Sequence, residues 1–248
     1  MAHRDEIAAY ANELLEIHRF AEYGRPGLQV VGADEVGKVA CGVSASLDLF
    51  ERAAAAGAQL LIVHHGMFWR NEPLVVDRRQ RGRLEALFAA DLTLLAYHLP
   101  LDAHPTLGNN ALLAGALDVQ VERPFAEVGQ GGRLREPTGI DELVTRIRET
   151  VGGREPLVFA HGPELIERVA ICSGEAGSEL ILAAHEGYHL LLTVEPEEPS
   201  LQTARELGIH FVAAGHDATE RLGVQALAQD VAERFGLEWE FLEIDNPV

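Results

Sequence analysis

Apolar and polar positions alternate with two different periods along this chain, and the changes of period mark its elements. From Asp5 to Phe20 the apolar residues Ile7, Tyr10, Ala11, Leu14, Leu15 and Phe20 recur near helical spacing, with Asp5 and Glu6 where negative charge suits a helix start. Leu28 to Val31 and Val36 to Val43 read as two strands around a break at Gly32-Ala33-Asp34-Glu35, and a helix follows from Leu47 to Ala56. Asp141 to Val151 predicts another helix, stopped by Gly152-Gly153, and Thr219 to Gln229 a further one. Phe125 to Pro137, with its Gly129-Gln130-Gly131-Gly132 run, reads as a turn in a crossing between two halves, because it lacks the third glycine of a dinucleotide fingerprint. The prolines of Pro196-Glu197-Glu198-Pro199 make that stretch a loop.

The pattern also repeats. Lys38-Val39-Ala40 matches Arg168-Val169-Ala170, Phe50 matches Leu180, Gly57 matches Gly187 and Leu60-Leu61 matches Leu190-Leu191, all at an offset of 130 residues. At an offset of 118, His98 and Asp102 fall on His216 and Glu220. The expected fold is therefore α/β: two similar, intimately packed α/β halves, residues 1–126 and 127–248, with a site in the cleft between them.

Three apolar, strand-like runs end in metal-type ligands. Leu60 to Val63 leads into His64-His65, Leu94 to Tyr97 into His98 and Asp102, and Phe211 to Ala214 into Gly215-His216 and Glu220. Strand ends are where α/β proteins build sites. Neighbouring strand residues point to opposite faces, so His64 and His65 face one cavity only if the strand ends there, and Gly66 is expected to supply the turn. His216 and Glu220 share a helical face, whereas Pro100 between His98 and Asp102 predicts a turn. Buried imidazoles and carboxylates cost several kcal/mol each unless neutralised, and a divalent cation neutralises them. Five or six ligands exceed the four of one tetrahedral zinc, which favours two ions, and imidazole with carboxylate suits zinc, iron, manganese, cobalt or nickel.

Charge and cysteine content narrow the class. Thirty-nine acidic against 20 basic residues give a net charge of −19, which repels a phosphate backbone, so no nucleic-acid partner is expected. With only Cys41 and Cys172, no leader-like N-terminus and no apolar run approaching a membrane span, a cytoplasmic protein without a membrane partner is expected.

An ordered set of motifs carries a family resemblance: Gly27-Leu28-Gln29-Val30, Ile62-Val63-His64-His65-Gly66, Tyr97-His98 through Asp102 with Gly108-Asn109-Asn110, and Gly215-His216-Asp217-Ala218-Thr219-Glu220. Over essentially its whole length the chain resembles the Nif-three-like family, the dinuclear-metal-centre hexameric proteins often labelled GTP cyclohydrolase 1 type 2 homologues, in their short form. The resemblance implies two metal ions per chain on His64, His65, Asp102, His216 and Glu220, with Glu220 as the bridge. It also implies that His98 and Glu195 line the same cavity, although Thr193-Val194-Glu195 stands where the family usually has Thr-Gly-Glu. A homohexameric ring is a further implication. Nothing catalytic is expected of Glu22-Tyr23-Gly24-Arg25-Pro26.

Two functions fit these expectations. One is a metal-dependent hydrolase acting on a cyclic amide or nucleotide-like small molecule through a metal-bound hydroxide, with Glu195 or His98 moving protons. Met67, Phe68, Trp69 and Arg70 would then form a pocket wall, or else an aromatic core or subunit contact. The alternative is a non-catalytic metal-binding hexamer serving metal handling or protein partners.

Overall fold

The computed structural model describes residues 1–246. In chain order the first elements are β1 (Ala2–His3), α1 (Arg4–Leu14), β2 (Gly27–Val30), β3 (Glu35–Val36), β4 (Lys38–Ser44), α2 (Leu47–Ala55), β5 (Leu60–His65), α3 (Arg78–Ala89) and β6 (Thr93–Ala96). Then come α4 (Leu99–Ala103), α5 (Asn109–Ala116), β7 (Val119–Phe125), β8 (Gly129–Thr138), α6 (Ile140–Thr150), β9 (Leu157–Phe159) and β10 (Ile166–Ile171). The chain continues through α7 (Leu180–His185), β11 (Leu190–Thr193), α8 (Ser200–Leu207), β12 (His210–Ala213), α9 (His216–Phe235) and β13 (Glu238–Phe241). Among the described residues no helix is long and apolar enough to cross a membrane.

Contacts divide the chain into two units, one of Met1–Leu101 with Gly223–Asn246 and the other of Asp102–Leu222. The chain thus passes between them twice, where the repeat alone suggests one crossing, at 126/127.

The first unit is built on a five-stranded sheet of order β13-β4-β5-β6-β2, parallel except for β2. Its inner strands are covered on both faces, which is why they read as unbroken apolar runs. Val39, Cys41, Leu60, Ile62, Leu95 and Tyr97 pack on Ile7 and Ala11 of α1 and on Val224, Leu227 and Val231 of α9. The alternate residues Ala40, Leu61, Val63 and Leu94 pack on Leu49, Phe50 and Ala53 of α2 and on Leu87 of α3. Fully burying such side chains stabilises by about 1.5–3 kcal/mol each. Tyr97, fully buried, also donates its hydroxyl to Asn12 Oδ1 at 3.0 Å.

The helix expected to Phe20 stops at Leu14. Glu16 takes a left-handed conformation (φ 47°), and a short 3-10 turn, Ile17–Arg19, carries the chain on. Leu15 and Ile17 still reach the core, so the apolar spacing outlasts the helix that it appeared to report.

The second unit has a six-stranded sheet of order β7-β8-β10-β11-β12-β9, with β10, β11 and β12 parallel. Val169, Ile171, Leu190, Leu192 and Val212 pack against Leu113 of α5 and Leu143 and Ile147 of α6. The glycine run 129–132, expected to be a turn, is instead the first part of β8, paired with both β7 and β10. A Cβ on Gly131 would meet the buried Tyr188 side chain (Cζ at 2.6 Å), so close approach of neighbours, not chain reversal, calls for glycine there.

Candidate metal centre

In the first unit, β5 delivers His64 and His65 at its end, and the residue after Tyr97 is His98. A ligand nitrogen of each of these three imidazoles lies within 4.8 Å of the others, so the group could hold a metal ion. Ring centroids are 4.7 Å apart for His64 and His65, 5.0 Å for His64 and His98, and 5.5 Å for His65 and His98.

Each ring has an outer partner at Nδ1. His64 Nδ1 lies 2.9 Å from the Tyr97 carbonyl oxygen, which can only accept, so Nδ1 carries the proton and Nε2 presents its lone pair. His65 Nδ1 is 2.9 Å from Ser44 Oγ, and His98 Nδ1 is 3.2 Å from Glu22 Oε2. Outer partners of this kind fix the tautomer and ring orientation of metal-binding histidines. Glu22, whose side chain is only 4% exposed, also accepts the Leu99 backbone N–H at 2.8 Å.

Gly66 follows this pair as expected, but not for the reason expected. It is absent from the positive-φ glycines; a Cβ there would crowd the Gln29 side chain and sit 2.7 Å from Ala96 Cβ. Gln29 in turn accepts the Met67 N–H at 2.7 Å.

In the second unit, Gly215 (φ 96°) turns the chain from β12 into α9, which opens on His216. One helical turn on, the fully buried Glu220 places Oε1 at 3.3 Å from His216 Nε2, while Glu195 Oε1 lies 3.6 Å from His216 Nδ1. Glu195 is partly exposed and just past the end of β11. Asp102, only 1% exposed, sits in α4, a five-residue helix where Pro100 predicted a turn. The proline falls in the first helical turn, where its missing N–H costs nothing. Asp102 Oδ1 accepts from Ser173 Oγ at 2.6 Å and Asn109 Nδ2 at 2.9 Å. Asn110 fastens this arrangement, donating to the Asp102 and Val128 carbonyls and accepting the Ser173 N–H at 2.6 Å.

The structure therefore groups His64, His65 and His98 in one unit, and Glu195, His216 and Glu220 in the other, with Asp102 in a hydrogen-bonded setting of its own. Imidazoles and carboxylates are borderline to hard donors of the kind that divalent transition metals accept. Cys172 is no thiolate competitor: burial, reinforced by the charge of Asp102, pushes its thiol up to about 12. No pattern in the sequence marks Glu22, Ser44 or Ser173 as site residues. Asn109 and Asn110 were foreseen only as part of a motif.

A sequence model of the family described as Duf34/NIF3 (NGG1p interacting factor 3) matches residues 2–247. The chain is 43% identical over 249 residues to a Neisseria meningitidis serogroup A protein called GTP cyclohydrolase 1 type 2 homolog, covering 100% of both. It is 42% identical over 243 residues to the Escherichia coli K12 protein of the same name, covering 98% of each. Among solved structures, protein ybgI, described as of unknown function, superposes with a TM-score of 0.95 at 41% identity, over 99% of this chain and 100% of that one. TTHA1606 from Thermus thermophilus gives 0.91 at 35% identity, with the same coverage. Reduced HcgD from Methanocaldococcus jannaschii shares the fold, with a TM-score of 0.85 at 22% identity over 98% of each chain.

Proposed function

Because the chain belongs to the Duf34/NIF3 family, we propose that it is a metal-dependent hydrolase whose His64, His65, Asp102, His216 and Glu220 hold two divalent transition-metal ions. The observation that carries this reading is the convergence of His64 and His65, each engaged at Nδ1 by an outer partner. Imidazoles alone would leave a dication's charge intact. Asp102, buried and held at one oxygen, and Glu220, fully buried, would supply the negative charge that offsets it.

A repeated architecture supports an internal duplication. β4, β5 and β6 run parallel in the first unit as β10, β11 and β12 do in the second. The matched helices α2 and α7 are each followed by a left-handed glycine, Gly57 at φ 72° and Gly187 at φ 76°.

When bound, such ions bring a water's pKa toward about 7 and polarise a carbonyl or phosphoryl oxygen. His98 moves the proton: Glu22 holds its Nδ1, so Nε2 is the nitrogen that takes a proton up and passes it to the leaving nitrogen. Glu195 is the second proton-transfer group. The relatives' name points to a cyclic amide or nucleotide-like substrate, with hydrolytic opening of the purine ring of GTP and release of formate as the reaction to test first. The protein is further proposed to work as a cytoplasmic homohexamer.

The experiment is formate and phosphate release from GTP and a nucleotide panel by metal-reconstituted protein, alongside its Glu220→Ala variant. Activity lost in the variant is the expected result. Absence of activity, or activity indifferent to Glu220, overturns the hydrolase and leaves a metal-binding scaffold. Elemental analysis should find about two ions per chain, and a His65→Ala protein that retains both refutes the assigned ligands. Native mass spectrometry reads the oligomer.

A further inference from the structure

We infer that the pocket lined by residues 20, 22–26, 68–70 and 74 binds a planar aromatic anion, with Phe20, Tyr23, Phe68 and Trp69 receiving the ring and Arg25 and Arg70 the anionic group. The pocket has a volume of 530 Å³ and lies wholly in the first unit. Small-molecule sites occupy about 300–1,000 Å³ and combine apolar walls with a few placed polar groups.

Charge selects an anion. The chain as a whole carries −19 and repels anions, so an anionic ligand needs a local reversal of field. Two arginines are among the residues that line this pocket, Arg25 and Arg70. The one carboxylate among the lining residues, Glu22, is turned away to His98 Nδ1 and the Leu99 N–H. Arg70 is also already positioned. Its backbone N–H donates to the Tyr23 carbonyl at 2.7 Å, its Nη2 donates to the Glu22 carbonyl at 2.9 Å, and its guanidinium lies 5.9 Å from the Tyr23 ring centroid. One of five guanidinium N–H donors is thus spent on holding the fork in place.

Aromatic rings select the rest of the ligand. Trp69 is fixed by its Nε1 donating to the Gly66 carbonyl at 3.0 Å and by a bridge to Gly24, and it stands edge-on to His98 at 5.1 Å. A smaller cavity that includes His64 and His98 shares Glu22, Arg25, Phe68 and Trp69 with the pocket, so a ring seated on Trp69 is continuous with the imidazole cluster. That this ring bears the reacting bond rests on the hydrolase proposed above; that it binds does not.

The test is titration calorimetry of the whole protein, metal-loaded and chelator-treated, with four probes. Adenosine 5′-monophosphate and orotate are aromatic anions, adenosine lacks the anion and ribose 5-phosphate lacks the ring. At least one aromatic anion should bind saturably and about tenfold or more tighter than either half-ligand. Arg70→Gln should remove most of the advantage of adenosine 5′-monophosphate over adenosine, and Phe68→Ala should weaken both without changing ribose 5-phosphate. Thermal melts of the two variants, both altered at exposed residues, verify that they are folded. Failure of both aromatic anions in both metal states overturns the inference, as does ribose 5-phosphate binding as tightly. Binding that vanishes on chelation and ignores Arg70→Gln assigns the anion to the metals and overturns it too. Pocket binding without any hydrolysis leaves the inference standing and removes the hydrolase.

Discussion

Replacing Ser173 by alanine isolates one bond that holds Asp102. The Ser173 hydroxyl is buried and donates to Asp102 Oδ1 at 2.6 Å, and Asp102 is itself only 1% exposed. A short hydrogen bond to a buried carboxylate contributes about 1.5–3 kcal/mol. Its deletion should therefore cost about 2 kcal/mol, or about 4–8 °C of melting temperature in a chain of this size. The substitution is local, because the Ser173 backbone N–H to Asn110 at 2.6 Å survives and Asn109 still donates to Asp102 at 2.9 Å. If Asp102 is a metal ligand, loss of its outer partner should also weaken metal binding by about 10–100-fold. Scanning calorimetry on metal-stripped protein reads the first effect, and competition with a chromophoric chelator reads the second. Ser173→Thr keeps the hydroxyl and should recover most of both. A stripped Ser173→Ala protein that melts with wild type would refute the energetic assignment. Unchanged zinc affinity would refute the positioning of Asp102 as a ligand.

Further outcomes follow from other contacts. Glu22→Gln places an amide where the carboxylate faces His98 Nδ1, so the His98 proton should move to Nε2, which imidazole nitrogen shifts report; turnover should fall about 10²-fold or more with it. His210 is buried in the second unit, accepting the Gly162 N–H at Nδ1 and donating from Nε2 to the Pro163 carbonyl, and burial, the main cause, holds its pKa below the usual histidine value. The neutral ring is thus favoured in the fold: its contribution is complete above the unfolded value of about 6.5 and is lost as pH falls through the lower folded value. Urea midpoints at pH 7.5 and 5.5 should show a larger acid loss for wild type than for His210→Asn; equal losses would contradict this. Gly131→Ala drives a methyl into Tyr188, itself held by Phe125, Arg123 and Arg168, and should cost about 1–3 kcal/mol by denaturant unfolding. A neutral result would mean that the β8 backbone yields there.

The features that could be read from the sequence were those carried by short windows. Buried parallel strands such as β5 and β12 are continuous apolar runs, so the polar residues that end them stand out. The α/β class followed from the same runs. What the sequence does not make legible depends on partners far along the chain. Glu22 meets His98 across 76 residues and Ser173 meets Asp102 across 71, and no periodicity spans such gaps. The glycines of β8 looked like a turn because their reason, the closeness of Tyr188 and of the neighbouring strands, is not local. Pro100 misled in the opposite way, since a first helical turn tolerates what a helix interior does not.

Tyr97 has a consequence reaching beyond the cluster. Its carbonyl accepts a hydrogen bond from His64 Nδ1–H while its hydroxyl donates to Asn12 in α1, so one residue ties the N-terminal helix to the aim of an imidazole. A change at position 12, which touches no proposed ligand directly, would then shift the aim of His64 without altering the donor set, so the first helix is part of what tunes this imidazole.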